Sequence, residues 1–210
     1  MKTGPEMKHF EALLRRRGFG AVPDLLAERE ILERYQDDCA VLVLDCSGFT
    51  RITQSKGIIH FLSLVVAMRD LVKPLFPAHD ALAWWHEADN LFAIFPTAWQ
   101  ALRAALAAQR AMQEANLVRE PYSRLDVCIG LGSGKLLRIG TEDIYGDQMN
   151  LACKLGEDVA HGREILITDD FYVEVKDREE FQLLRFVPKQ IRASDVEIRY
   201  YSVEYENLSQ

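Results

Sequence analysis

The stretch that most constrains this chain is residues 40–45, AVLVLD, followed at once by Ser47-Gly48-Phe49-Thr50. Six residues dominated by β-formers and Leu read as a buried strand, and this one ends in an aspartate. The Ser-Gly that follows reads as the start of a helix, so a carboxylate and a set of free backbone N–H groups are expected side by side. Around this strand the chain alternates between the two periodicities. Residues 51–73 carry a helical stripe (Ile58, Phe61, Leu62, Leu64, Val65, Met68, Leu71) with a pause at Gly57 and an end at Lys73-Pro74. Runs 81–86 and 91–95 predict a hairpin with Glu87-Ala88-Asp89-Asn90 at its tip.

Residues 97–115 predict an alanine-rich scaffold helix. Runs 125–131 and 136–139 predict two strands of a second hairpin joined at Gly132-Ser133-Gly134. A helix over 147–160 with Met149, Leu151, Ala152 and Leu155 inward is stopped by Gly162. A strand at 164–168, a short helix after Asp169-Asp170, and β runs at 181–187 and 196–203 complete the pattern. Before all of this, helices over 7–17 and 23–35 form a charged preface, the second with Leu25, Leu26, Ile31 and Leu32 at helical spacing. The order predicts one α+β domain with mostly antiparallel pairing, organised as an N-terminal helical extension (1–38) and a main unit (39–210).

Composition sets the outer limits. The chain's 210 residues, 49% apolar and 27% charged, can bury roughly 70% of their unfolded surface, which excludes disorder and low-complexity architectures. A net charge of −7 argues against blanketing a nucleic acid or an anionic membrane. No apolar run approaches the ~20 residues needed to span a bilayer, and the arginine-rich start lacks the apolar core of a signal peptide. A cytoplasmic location is therefore expected. The 4 cysteines (Cys39, Cys46, Cys128, Cys153) have no metal-ligand spacing and read as small packed residues.

Two aspartates, Asp45 and Asp89, stand at the ends of neighbouring β runs. An all-oxygen pair of this kind suits Mg²⁺ or Mn²⁺ held jointly with substrate phosphates, although either residue alone could merely cap a turn. A metal beside a helix start is the makings of a nucleotide site. The chain has no GxxxxGK[ST], and its GLGSGK glycines stand between strands, which rules out P-loop and Rossmann readings. His86 and His60 read as bystanders on a strand and on a helix face.

Four ordered pieces make the pattern specific: VLVLDCSGFT (41–50), EADNLFAIF (87–95), IGLGSG (129–134) and DIYGDQMNLACKL (143–155) followed by GREILIT (162–168). Together they resemble the catalytic domain of the class III adenylyl/guanylyl cyclases over about residues 39–203. The resemblance implies a ferredoxin-like class III cyclase fold. It also implies that Asp45 and Asp89, with the carbonyl of Cys46, hold two Mg²⁺ or Mn²⁺ ions per site. Gly48, Phe49 and Thr50 match the triphosphate-contacting helix start, and Asn150 matches the residue that orients the ribose. Lys154 stands where the family has a transition-state arginine, keeping the charge and losing the bidentate fork. Arg138 and, more weakly, Lys189 are candidates for phosphate contacts. At the base-selecting positions Trp85 replaces the usual lysine or glutamate, while Asp143 can accept from an exocyclic amino group. Trp85 could stack on a base or fill space, and the second option would favour a pyrimidine.

The resemblance further implies a head-to-tail homodimer with two sites, metals from one protomer and Asp143, Asn150 and Lys154 from its mate. The expected activity is conversion of ATP to 3′,5′-cyclic AMP and pyrophosphate. A CTP or UTP cyclase, and a degenerate cyclase-like module that dimerises or senses nucleotide without turnover, are the alternatives.

Overall fold

A computed structural model describes residues 4–20, 22–193 and 196–205; the outer ends of the two expected units, 1–3 and 206–210, lie outside the described residues. The AVLVLD run is the centre of a longer strand, β1 (Gln36–Ser47), whose middle residues are buried on both faces. It pairs antiparallel on one side with β3 (Asn90–Phe95) and on the other with β4 (Asp126–Ile139). β2 (Ala83–Glu87) completes the expected hairpin with β3. Among the described residues eight strands make one sheet, ordered β2-β3-β1-β4-β6-β8-β7, with β6 at Ile165–Thr168, β7 at Arg185–Ala193 and β8 at Val196–Glu204. The short β5 (Asp143–Tyr145) pairs with the end of β4, and β4–β6 is the one parallel pairing described.

Side-chain alternation splits β1 between two cores. Ala40, Leu42, Leu44 and Cys46 face a large core built with α4 (Ile58–Val72), α6 (Ala98–Leu117) and α8 (Asp169–Val175). Cys39, Val41 and Val43 face the opposite side, where Trp85, Phe92, Ile94 and Leu136 meet Ala152 of α7 (Asp147–Cys153). α3 (Phe49–Lys56) follows β1 directly, and a four-residue helix, α5 (Leu75–Ala78), closes the turn after α4.

Three expectations are corrected. The glycines at 130–134 do not turn a hairpin: β4 is one unbroken strand of 14 residues, in continuous register with β1. Gly130 and Gly132 serve close approach instead, because a Cβ at Gly130 would lie 2.0 Å from the Ala152 carbonyl oxygen and one at Gly132 2.5 Å from that of Gln148. The helix expected over 147–160 is α-helical only to Cys153 and then widens into a π-helical turn, Lys154–Val159, where Gly156 lies against Gly130 and the Val43 carbonyl. The β run expected from 181 begins at Arg185, after a 3₁₀ turn at Glu179–Phe181.

The preface forms α1 (Pro5–Arg17) and α2 (Leu25–Tyr35), the second capped by the Asp24 carboxylate, which accepts from Leu26 N (2.9 Å) and Ala27 N (3.2 Å). Its inward stripe is Ala27, Ile31 and Tyr35, whereas Leu25, Leu26 and Leu32 are exposed. The reason is the partner surface: α2 packs with Phe10 and Leu13 against Ile139 at the end of β4, and that contact selects a different helical face. No helix among the described residues is long and apolar enough to cross a membrane.

Candidate functional site

Antiparallel pairing of β1 with β3 runs to Leu44 opposite Leu91, so Asp45 and the turn residue Asp89 emerge at the same end of the sheet. Asp45 lies on the face of β1 shared with Val43, two residues along from it. Its carboxylate accepts from the N–H of Cys46 at 2.8 Å. Burial, and after it the charge of Asp89, pushes the Asp45 pKa up to about 6, with Glu157 and Asp158 adding to the effect. The Cys46 thiol points to the large core and contacts the Asp89 carbonyl at 3.6 Å, tying the end of β1 to the turn. Two partly buried carboxylates held together against their charge form a donor set that fits a hard divalent cation. Among the described residues no group of three or more His, Cys, Asp or Glu side chains is arranged as a metal cage. The remaining ligands for such an ion at Asp45 and Asp89 would come from backbone carbonyls, water and substrate oxygens, which is how Mg²⁺ is ordinarily bound.

Past Asp45, Gly48 turns the chain with φ +100°, in the left-handed region that glycine enters freely. α3 starts there, and Ile52 N closes onto the Gly48 carbonyl at 3.0 Å. Arg51 pins the start by donating to the carbonyls of Pro121 (3.2 Å) and Arg124 (2.8 Å). Phe49 is half exposed, edge-on to Phe61 at 4.9 Å, and Thr50 faces solvent. The N-terminal amides of α3 therefore open beside the carboxylate pair.

Trp85, Phe92 and Val43 form a row across β2, β3 and β1, one pleat repeat, or ~7 Å, from Asp45 on the same face. The indole stacks on Phe92 (5.2 Å between centroids, 11° between planes) and is 8% exposed. Asn150 is exposed on α7. Lys154 opens the π-helical turn, where its ammonium pairs with Asp158 at 2.6 Å. Asp143 is exposed on β5, opposite Ile139. Arg138 pairs with Asp37 at 2.8 Å and Lys189 with Glu164 at 3.5 Å, so each of these candidate phosphate contacts already has a carboxylate partner. His60 meets the Ser123 hydroxyl at 3.0 Å and His86 meets Lys73 at 3.4 Å, both away from the carboxylate pair's own contacts.

The structure brings Asp45, Cys46, Gly48, Phe49, Thr50 and Asp89 to one end of the sheet, with Trp85 just behind. Asp143 and Arg138 stand at the other end of β4: Asp45 is level with Cys128, and Asp143 with Ile139. Two residues that the sequence reading passed over touch the Asp89 turn. Arg69 of α4 donates to the Ala88 carbonyl, and Glu157 accepts from Asn90 Nδ2 at 3.0 Å. Their only sequence signal is charge on the rim of an otherwise apolar helix face, which ordinarily marks solvent.

No family model matches the chain. A Rhizobium meliloti (strain 1021) protein provisionally named adenylate cyclase 3 is 23% identical over 145 residues, 69% of this chain and 24% of that protein. The chain thus spans about a quarter of the length of the curated relative it matches. Among solved structures, the adenylate/guanylate cyclase/hydrolase of Silicibacter pomeroyi superposes with a TM-score of 0.68 at 24% identity, covering 80% of this chain and 96% of that one. The adenylyl cyclase CyaB of P. aeruginosa follows with a TM-score of 0.66 at 19% identity, over 81% and 95%. The chain has the fold of the class III cyclase catalytic domains.

Proposed function

We propose that this chain is a nucleotidyl cyclase that converts ATP to 3′,5′-cyclic AMP and pyrophosphate at sites shared between two copies of itself. The observation that carries the reading is the pairing of Asp45 with Asp89 beside the open helix start at Gly48, on a fold used by adenylate and guanylate cyclases. In the reaction the ribose 3′-oxygen bonds to the α-phosphorus, the bond from that phosphorus to the bridging oxygen breaks, and pyrophosphate leaves while the hydroxyl proton passes to solvent. Two Mg²⁺ or Mn²⁺ ions bound by Asp45, Asp89 and the Cys46 carbonyl would supply Lewis-acid activation of the hydroxyl and neutralise the triphosphate. The amides at Gly48, Phe49 and Thr50 orient the phosphates. Asn150 orients the ribose, and Lys154 offers positive charge to the developing oxyanion once it leaves Asp158. Arg138, freed from Asp37, is a further phosphate contact, and Asp143 accepts from the adenine amino group.

The sheet supports a two-chain site. About eleven residues of extended strand, or ~36 Å, separate the level of Asp45 from that of Asp143 along β4, too far for one nucleotide to touch both in one copy. Two copies arranged head to tail bring unlike ends together. Nothing in the reading calls for nucleic acid or membrane insertion, and a cytoplasmic nucleotide pool is the natural substrate source.

One observation favours a second substrate class. Trp85, packed on Phe92, occupies space near the carboxylate pair, which suits the smaller base of CTP or UTP. Incubating the purified protein with Mn²⁺ or Mg²⁺ and each of ATP, GTP, CTP and UTP, with chromatographic identification of product and Asp45→Ala as control, tests both. Cyclic AMP from the wild type alone is the expected result, and a cyclic pyrimidine would replace ATP by the second class. Silence with all four, from folded dimeric protein, would leave a non-catalytic module.

A further inference from the structure

Asp89 sits in a two-residue turn whose other member, Ala88, has φ +47°. A non-glycine residue in the left-handed region costs of order 1 kcal/mol or more and persists only where its surroundings hold it there. Two side chains from outside the hairpin do so. From α4, Arg69 donates through its guanidinium to the Ala88 carbonyl, fixing the strained peptide directly before Asp89. From the π-helical turn, Glu157 accepts from Asn90 Nδ2 at 3.0 Å, fixing the residue directly after it. The Cys46 thiol, reaching the Asp89 carbonyl at 3.6 Å, contributes a weaker third tie.

We propose that Arg69 and Glu157 are positioning residues that clamp the Ala88–Asn90 turn from opposite sides and thereby aim the Asp89 carboxylate at a divalent cation shared with Asp45. The inference rests on the metal-site reading above. It also inverts what charge alone dictates. Arg69 is a cation beside a site for cations, so by electrostatics its removal should tighten metal binding; as a clamp, its removal loosens binding. Glu157 is an anion, so by electrostatics its neutralisation weakens binding, whereas for a clamp an uncharged acceptor serves as well. A side chain that supports a metal ligand typically contributes ten- to a hundredfold in metal affinity, so the contrast is measurable.

The test uses the full chain and Mn²⁺ alone, followed by loss of the free-ion electron paramagnetic resonance signal, with melting in chelator as the measure of folding. Arg69→Met and Glu157→Ala are each expected to weaken Mn²⁺ binding about tenfold, while Glu157→Gln, which keeps the acceptor oxygen, binds like wild type. All three should melt within a few degrees of wild type, because Arg69 is only partly buried and Glu157 is exposed. Tighter binding by Arg69→Met, or loss of binding in Glu157→Gln equal to that in Glu157→Ala, would overturn the clamp in favour of simple charge. A wild type that binds no more Mn²⁺ than Asp45→Ala would sink the metal-site reading and the clamp with it. Mn²⁺ binding lost in Asp45→Ala but unchanged in all three Arg69 and Glu157 variants would remove the clamp alone.

Discussion

At Asp45 burial and the neighbouring charge of Asp89 both oppose ionisation, and the carboxyl titrates near 6 instead of near 4. Because the folded value is raised, the metal-free protein keeps this contribution to stability below pH ~4 and loses it as pH rises through about 6. Asp45→Asn removes the repulsion and retains the acceptor for Cys46 N. In chelator at pH 7.5 this variant is expected to be more stable than wild type by about 1 kcal/mol after allowing for the solvent exposure of the group, or ~2–4 °C in Tm. The difference should vanish by pH 4, and Mn²⁺ should raise the Tm of wild type only. Equal melting of the two proteins at pH 7.5 would mean that the carboxylates do not strain the fold. Trp85 poses the opposite case, a side chain whose stability role is plain from its stacking on Phe92. Trp85→Leu is expected to cost about 1–3 kcal/mol and, by opening the row beside Asp45, to lower the KM for ATP relative to CTP. An unchanged KM ratio would confine Trp85 to packing.

Among the elements, β4 and α7 illustrate what local pattern can and cannot carry. The AVLVLD strand, the hairpin bearing Asp89 and the Ala-rich α6 were legible because their signals are complete within a dozen residues. The same local logic misreads Gly132-Ser133-Gly134 as a turn, since Gly132 answers to the backbone of α7 lying over the strand and Gly134 to a φ of +139° within it. Helical spacing likewise leaves open which face of α2 is covered: Leu25, Leu26 and Leu32 are exposed, and Phe10, Leu13 and Ile139 meet the face that carries Ile31 and Tyr35. In the candidate site, the meeting of Asp45 and Asp89 at one end of the sheet was legible from strand ends, while the contacts of Arg69 and Glu157 with the Asp89 turn were not, because they depend on what each side chain touches in the fold. The close packing of strand and helix makes a sharp prediction. Gly130→Ala would set a methyl group 2.0 Å from the Ala152 carbonyl oxygen, against backbone that cannot yield as a side chain can. The variant should lose at least about 3 kcal/mol in denaturant unfolding, and activity should fall further than stability because α7 carries Asn150 and leads into Lys154. Wild-type turnover in Gly130→Ala would show that α7 can shift without moving those groups.

For the whole molecule, the long unbroken β4 spreads the proposed residues over both ends of one sheet, so activity should belong to pairs of chains. In the head-to-tail pair proposed above, each site would take its carboxylates from one copy and Asn150, with Asp143, from the other. Asp45→Ala and Asn150→Ala would each damage both sites of their own homodimer. Mixed in equal amounts and allowed to exchange, they would form mixed dimers in about half of all pairs, each with one site carrying both lesions and one carrying none. Activity should therefore return to roughly a quarter of wild type, and it should follow the rate at which subunits exchange. Were the two residues to act within a single copy, the mixture would stay as inactive as either variant alone. The same geometry makes wild-type specific activity fall on dilution below the dimer dissociation constant, a loss that added Asp45→Ala protein should partly reverse by supplying the missing half of the site.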